Sequence, residues 1–197
     1  AQDGTAILEL GPQLDPITRD DGGLDPHVWL DPERMAAATE LIAGALADLD
    51  STVDWGTAAD AYAAQLAALD DEIAAILDAV PADRRRLVTN HEALGYFADR
   101  YGFEVVGVII PGGSTLAAPS SADIAALAEV IATEEVPAIF AETTQPATLA
   151  EAVAAEADTE VVVVELFTES MGEPSSEAGT LIGMLRVDAA RIAEALS

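Results

Sequence analysis

Two histidines and a small set of carboxylates are the residues here whose types and spacing could do chemistry. His27 lies in Leu24-Asp25-Pro26-His27-Val28-Trp29-Leu30-Asp31-Pro32, and His91 in Thr89-Asn90-His91-Glu92. Two prolines and a capping Asp restrict the backbone around His27, so its imidazole is pre-oriented, which suits a ligand. Glu142 follows Ile139-Phe140-Ala141, and Glu169 lies in Leu166-Phe167-Thr168-Glu169-Ser170-Met171-Gly172. Imidazoles with a carboxylate form a donor set for a borderline divalent cation. Each residue also has an ordinary reading. His91 could cap a helix together with Asn90, and either glutamate could be solvated surface in so acidic a chain. Cysteine is absent, which excludes disulfides, thiolate nucleophiles, Fe–S clusters and thiolate zinc sites.

The elements that must position these groups follow from periodicity. Ala6–Leu10 reads as a short strand and Asp20-Asp21-Gly22-Gly23 as an exposed loop. Asp31-Pro32 opens a helix over about 32–50, with Asp31 as cap and Pro32 in its first position. Tyr62, Leu66, Leu69, Ile73, Ile76 and Val80 form an apolar stripe that predicts a long helix over about 57–79. Beyond Pro81, short β-branched strands alternate with helices: strands at 87–89, 104–110, 138–141 and 160–166, helices at 91–101, 121–134, 146–157 and 179–196. That alternation predicts an α/β fold with a small parallel four-stranded sheet and flanking helices. In such sheets ligands bind beyond the carboxyl ends of the strands, which is where His91, Glu142 and Glu169 fall. The expected organisation is residues 1–56, a linking helix over 57–80, and an α/β lobe over 81–197.

The 197 residues suffice for one domain or two small lobes with a buried core, and 51% of them are hydrophobic. The net charge is -28, from 36 acidic and 8 basic residues, and every basic residue is Arg. Such a chain is repelled by phosphate backbones and anionic lipid, which disfavours nucleic-acid and membrane-surface partners. No apolar run reaches the ~18 residues of a transmembrane helix, and Gly112-Gly113-Ser114 lacks the lysine and spacing of a P-loop. The opening Ala1-Gln2-Asp3 reads as a processed or truncated start.

Asp25-Pro26-His27-Val28-Trp29-Leu30-Asp31-Pro32 resembles the DPHxWLDP signature of the periplasmic or cell-surface solute-binding proteins of zinc and manganese ABC transporters. The likeness continues in order through the Tyr62-bearing helix, Thr89–Phe97, Pro119-Ser120, Ile139–Glu142 and Phe167–Gly172, from about residue 6 to the end. The resemblance implies two α/β lobes joined by a rigid helix, with the metal held between them. Carried over by residue, it implies His27, His91 and Glu169 as metal ligands, with Glu142 near the site but outside the ligand set. It also implies Zn²⁺ as cargo with Mn²⁺ as the alternative, because the family's manganese members tend to carry Glu where His91 stands. An ABC permease is the implied partner, and the periplasm or cell surface the implied location, with any lipid anchor upstream of Ala1. Two departures stand out. Glu169 occupies a position where the family more often has Asp. The family's earliest His has no counterpart, since both histidines are already assigned, so the expectation is a remnant of the N-terminal lobe whose uncovered apolar surface favours homodimerisation. Two other functions fit parts of the pattern. One is a surface adhesin or interaction module with a vestigial metal site. The other is a zinc hydrolase with Glu92 or Glu142 as base, although no HExxH helix is present.

Overall fold

A computed structural model describes residues 6–19, 22–111 and 119–197. Gly112-Gly113-Ser114 and the Asp20-Asp21 pair lie outside the described residues. The chain divides into two compact units, Ala1–Asp71 and Glu72–Ser197, and the boundary falls inside one long helix.

The first unit contains helix α1 (Pro32–Leu49) and most of α2 (Trp55–Leu77). The start of α1 is over-determined. The Asp31 side chain accepts from the backbone N–H groups of Glu33 and Arg34, and also pairs with the Arg34 guanidinium. Asp31 is itself fully buried, so this one carboxylate caps the helix and neutralises its own burial. Arg34 also donates to the carbonyls of Leu14 and Asp15, which ties the preceding loop to the helix. Ala6–Leu10 is not a strand: it has no ladder partner among the described residues, and the Leu10 carbonyl instead closes a 3-10 turn over Gly11–Gln13. An apolar pentapeptide becomes a strand only when a neighbour satisfies its backbone. On α2 and just beyond it, the buried stripe is Leu66, Leu69, Ile73, Leu77 and Val80, with Ile76 half-buried at its margin.

The second unit is a four-stranded sheet of β1 (Arg86–Thr89), β2 (Glu104–Val108), β3 (Ala138–Glu142) and β4 (Val162–Leu166). All pairings are parallel and the order is β2-β1-β3-β4. Helices α3 (Gly95–Tyr101), α4 (Ser121–Thr133) and α5 (Thr148–Glu156) make the connections, and together with the C-terminal α6 (Leu181–Leu196) they cover the faces. One face packs as a cluster of Val88, Ile139 and Ala141 against Ile131 of α4 and Ala150 and Val153 of α5. Strand alternation sends Leu87 and Phe140, both buried, to the opposite side. There α3 packs along β2 and α6 along β4. Ser120 and Asp123 form a reciprocal capping box at the start of α4. Among the described residues no helix is long and apolar enough to cross a membrane.

The start of α3 differs from expectation and shapes the site. The helix expected from residue 91 starts only at Gly95. Strand-like pairing persists past β1, with Asn90 N–H donating to Phe140 O and Ile110 N–H to Asn90 O, so the chain cannot begin coiling at 91. Residues 90–94 form a turn instead, in which the His91 carbonyl accepts from Ala93 N–H and from the Thr89 hydroxyl. At the other end of the unit, Gly183, the third residue of α6, lies beneath the loop after β4. A Cβ there would lie 1.9 Å from the Glu177 carbonyl oxygen, so only glycine lets that loop rest on the helix.

Candidate metal centre

In the first unit His27 ends an extended run and begins the 3-10 turn Val28–Leu30. Its ring is buried, and Nδ1 lies 2.6 Å from Asp25 Oδ1. The same carboxylate oxygen accepts the His27 backbone N–H at 2.9 Å. Trp29 meets the imidazole edge-on, with ring centroids 5.4 Å apart. A carboxylate on Nδ1 favours the tautomer that carries its lone pair on Nε2. Asp25-Pro26-His27 therefore builds an oriented imidazole from three consecutive residues.

The second unit assembles the rest at the carboxyl edge of its sheet. The order β2-β1-β3-β4 makes the β1/β3 boundary the point where connections leave in opposite directions, and ligands of open α/β sheets sit at such points. His91 follows β1, Glu142 ends β3, and Glu169 follows β4 by three residues. His91 Nδ1 and Glu142 Oε1 are hydrogen-bonded, with both side chains 3% exposed. Asn90 Nδ2 also donates to Glu142 Oε1, at 3.2 Å, and the Thr144 hydroxyl reaches Oε2 at 3.4 Å. On the far side of the ring, His91 Nε2 is 3.2 Å from Glu169 Oε1, and Glu169 is one-third exposed. A small cavity of about 10 Å³, room for about one water, lies among His91, Glu142, Leu166 and Thr168.

Burial disfavours the imidazolium of His91, but the hydrogen bond and charge of Glu142, with Glu169 behind them, outweigh it and hold its pKa above the usual range. Burial pushes the Glu142 carboxyl up, and His91, Asn90 and Thr144 more than reverse that, so it titrates below an ordinary glutamate. In the metal-free state the two carboxylates thus favour the protonated form of the ring. A cation bound at Nε2 would take a proton's place there, because a ligand nitrogen must be deprotonated.

The structure therefore brings His91 and Glu169 together within one unit and places His27, equally buried, in the other unit. Sequence reasoning kept Glu142 out of the ligand set but did not see that it orients His91. It also missed the pairing of Asp25 with His27, although an Asp two residues before a His was a readable signal.

Comparison with known proteins decides the family. Residues 1–195 match the model of the family described as zinc-uptake complex component A, periplasmic. The chain belongs to this family. Among curated relatives, the zinc-binding protein TroA of Treponema pallidum is 35% identical over 198 residues, covering 98% of this chain and 64% of that protein. The manganese-binding lipoprotein MntA of Halalkalibacterium halodurans is 27% identical over 183 residues, covering 91% of this chain and 60% of that protein. The solved structure of the periplasmic zinc-binding protein TroA from Treponema pallidum superposes with a TM-score of 0.87 at 31% identity, covering all of this chain and 73% of that one. The chain thus spans somewhat under two-thirds of the length of these curated relatives. The superposition on the TroA structure includes the parallel four-stranded α/β unit described above.

Proposed function

We propose that this protein captures a divalent transition metal outside the cytoplasm and delivers it to an ABC permease. Zn²⁺ is the cargo that the donor set favours, and His27, His91 and Glu169 are the ligands. The observation that carries the reading is the buried Glu142–His91 pair, which turns Nε2 of the ring towards the carboxylate of Glu169. Asp25 prepares His27 in the same way. A carboxylate behind a ligating imidazole is the usual outer support of a protein-bound zinc ion. Two imidazoles and one carboxylate also leave room for water, which suits an ion that must be released again. Mn²⁺ is the alternative cargo, since a relative is named as manganese-binding, but a site with two nitrogen donors ranks zinc above manganese in affinity.

The test is calorimetric titration of metal-free protein with zinc, repeated in competition with manganese. One tight zinc site per chain, not displaced by excess manganese, is the expected result. Weak, salt-sensitive binding at several sites would show only the general attraction of a chain of net charge -28 and would overturn the reading. The same assay measures the support behind His91. Glu142→Ala is expected to weaken zinc binding about 10–100-fold, the usual cost of losing such a partner. An unchanged affinity would remove Glu142 from that role.

A further inference from the structure

One buried carboxyl group in the second unit, that of Asp188, takes no part in the proposed metal site. Asp188 lies on the apolar stripe of α6, among Met184, Leu185, Ala189 and Ile192, and is 4% exposed. Its Oδ1 accepts the backbone N–H of Phe167 at 3.0 Å, and its Oδ2 has no hydrogen-bond partner among the described residues. Phe167 is the first residue past β4, where the ladder to β3 has ended. One turn further along α6, Arg191 donates Nη1 to the Glu165 carbonyl at 2.6 Å, and its guanidinium lies 5.0 Å from the centre of the Phe167 ring. Two side chains of one helix thus hold the backbone at 165 and at 167, on either side of the strand end.

Packing alone does not call for an acid here. An apolar residue on that stripe would fill the space without burying a carboxyl oxygen that finds no partner. What the carboxyl supplies is a fixed acceptor for a backbone N–H that the sheet no longer pairs, and that N–H belongs to the residue two before Glu169. We propose that Asp188, together with Arg191, is a positioning residue that sets where Glu169 leaves β4, and through it the affinity for the metal. The proposal rests on the reading of Glu169 as a ligand. Burial raises the Asp188 carboxyl to about 7, and Oδ1 accepts in both protonation states, so the clamp persists across neutral pH.

The experiment is zinc titration of the wild type, Asp188→Ala, Asp188→Asn, Glu169→Ala and the Asp188→Ala/Glu169→Ala double variant, with circular dichroism on each. Asp188→Ala is expected to weaken zinc binding about 10–100-fold, whereas Asp188→Asn, which keeps the acceptor oxygen, stays close to wild type. In the Glu169→Ala background, Asp188→Ala should cost nothing further. An Asp188→Ala protein with wild-type affinity would overturn the proposal. So would a loss of the same size in both backgrounds, because that is what general loosening of the unit produces. If Glu169→Ala binds zinc as wild type does, the ligand assignment falls first and this proposal falls with it. If Asp188→Ala does not fold, Arg191→Met, at a half-buried position, replaces it in the same cycle and is judged by the same outcomes.

Discussion

His91→Ala is expected to lower zinc affinity about a hundred- to a thousandfold. The apparent free energy of a structural zinc site is about 10–16 kcal/mol spread over its ligands, so one imidazole accounts for roughly 3–4 kcal/mol, and each 1.4 kcal/mol is about tenfold. The variant has a second consequence that does not involve metal. Glu142 is 3% exposed and hydrogen-bonded to the ring, and removing the ring leaves its carboxylate buried with Asn90 and Thr144 as its partners among the described residues. Breaking a buried pair from one side costs about 3–5 kcal/mol of stability. His91→Gln separates the two effects, because its amide can still donate to Glu142 while its donor atoms suit zinc poorly. Calorimetry then reports the ligand, and the melting temperature of the metal-free protein reports the pair. A His91→Ala protein that keeps tight one-to-one binding would sink the assignment of this residue.

Asp188→Asn is expected to stabilise the metal-free protein at alkaline pH more than at acid pH. The folded state raises this carboxyl from 3.8 to about 7, chiefly through burial, with the Phe167 N–H and Arg191 pulling the other way. Below 3.8 both folded and unfolded chains hold the proton, and the group is neutral with respect to stability. As pH rises from there to about 7, the unfolded chain gives up its proton while the folded one retains it, so stability falls. Above about 7 the loss is complete and constant. Asn does not titrate and therefore escapes the loss. Between pH ~5.5 and ~8.5 the advantage of the variant should grow by about 2 kcal/mol, from a pKa unit worth about 1.36 kcal/mol. Urea unfolding of the two proteins at both pH values measures it. An advantage that does not change with pH would show that the carboxyl titrates normally and is not desolvated as its burial implies.

Both effects depend on features that differ in how openly the sequence displays them. The ends and faces of the helices were legible. Asp31-Pro32 is a helix start in any context, and the recurrence of Leu66, Leu69 and Ile73 settles which side of α2 is buried. The four strands were legible too, because each is a short, mostly apolar run between helices. The start of α3 was not. Residues 91–94 have no local bar to helix, and what stops it is pairing of Asn90 with strands that arrive much later in the chain. Ala6–Leu10 erred in the opposite sense, since strand propensity without a partner makes no strand.

The same division runs through the site. Residue types, their order and the Asp25-Pro26-His27 segment were set by the sequence alone, and with the family resemblance they nominate His27, His91 and Glu169 as donors. Propensity and capping act over a few residues, so a one-dimensional reading captures them. The strand order β2-β1-β3-β4, the partnership of Glu142 with His91 across 51 positions, and the reach of Asp188 back over 21 positions to Phe167 were decided by the tertiary structure. Each joins groups that no local rule relates. In a chain with 36 acidic residues, only the folded packing shows which carboxylates leave the solvent and which imidazole or backbone N–H compensates them.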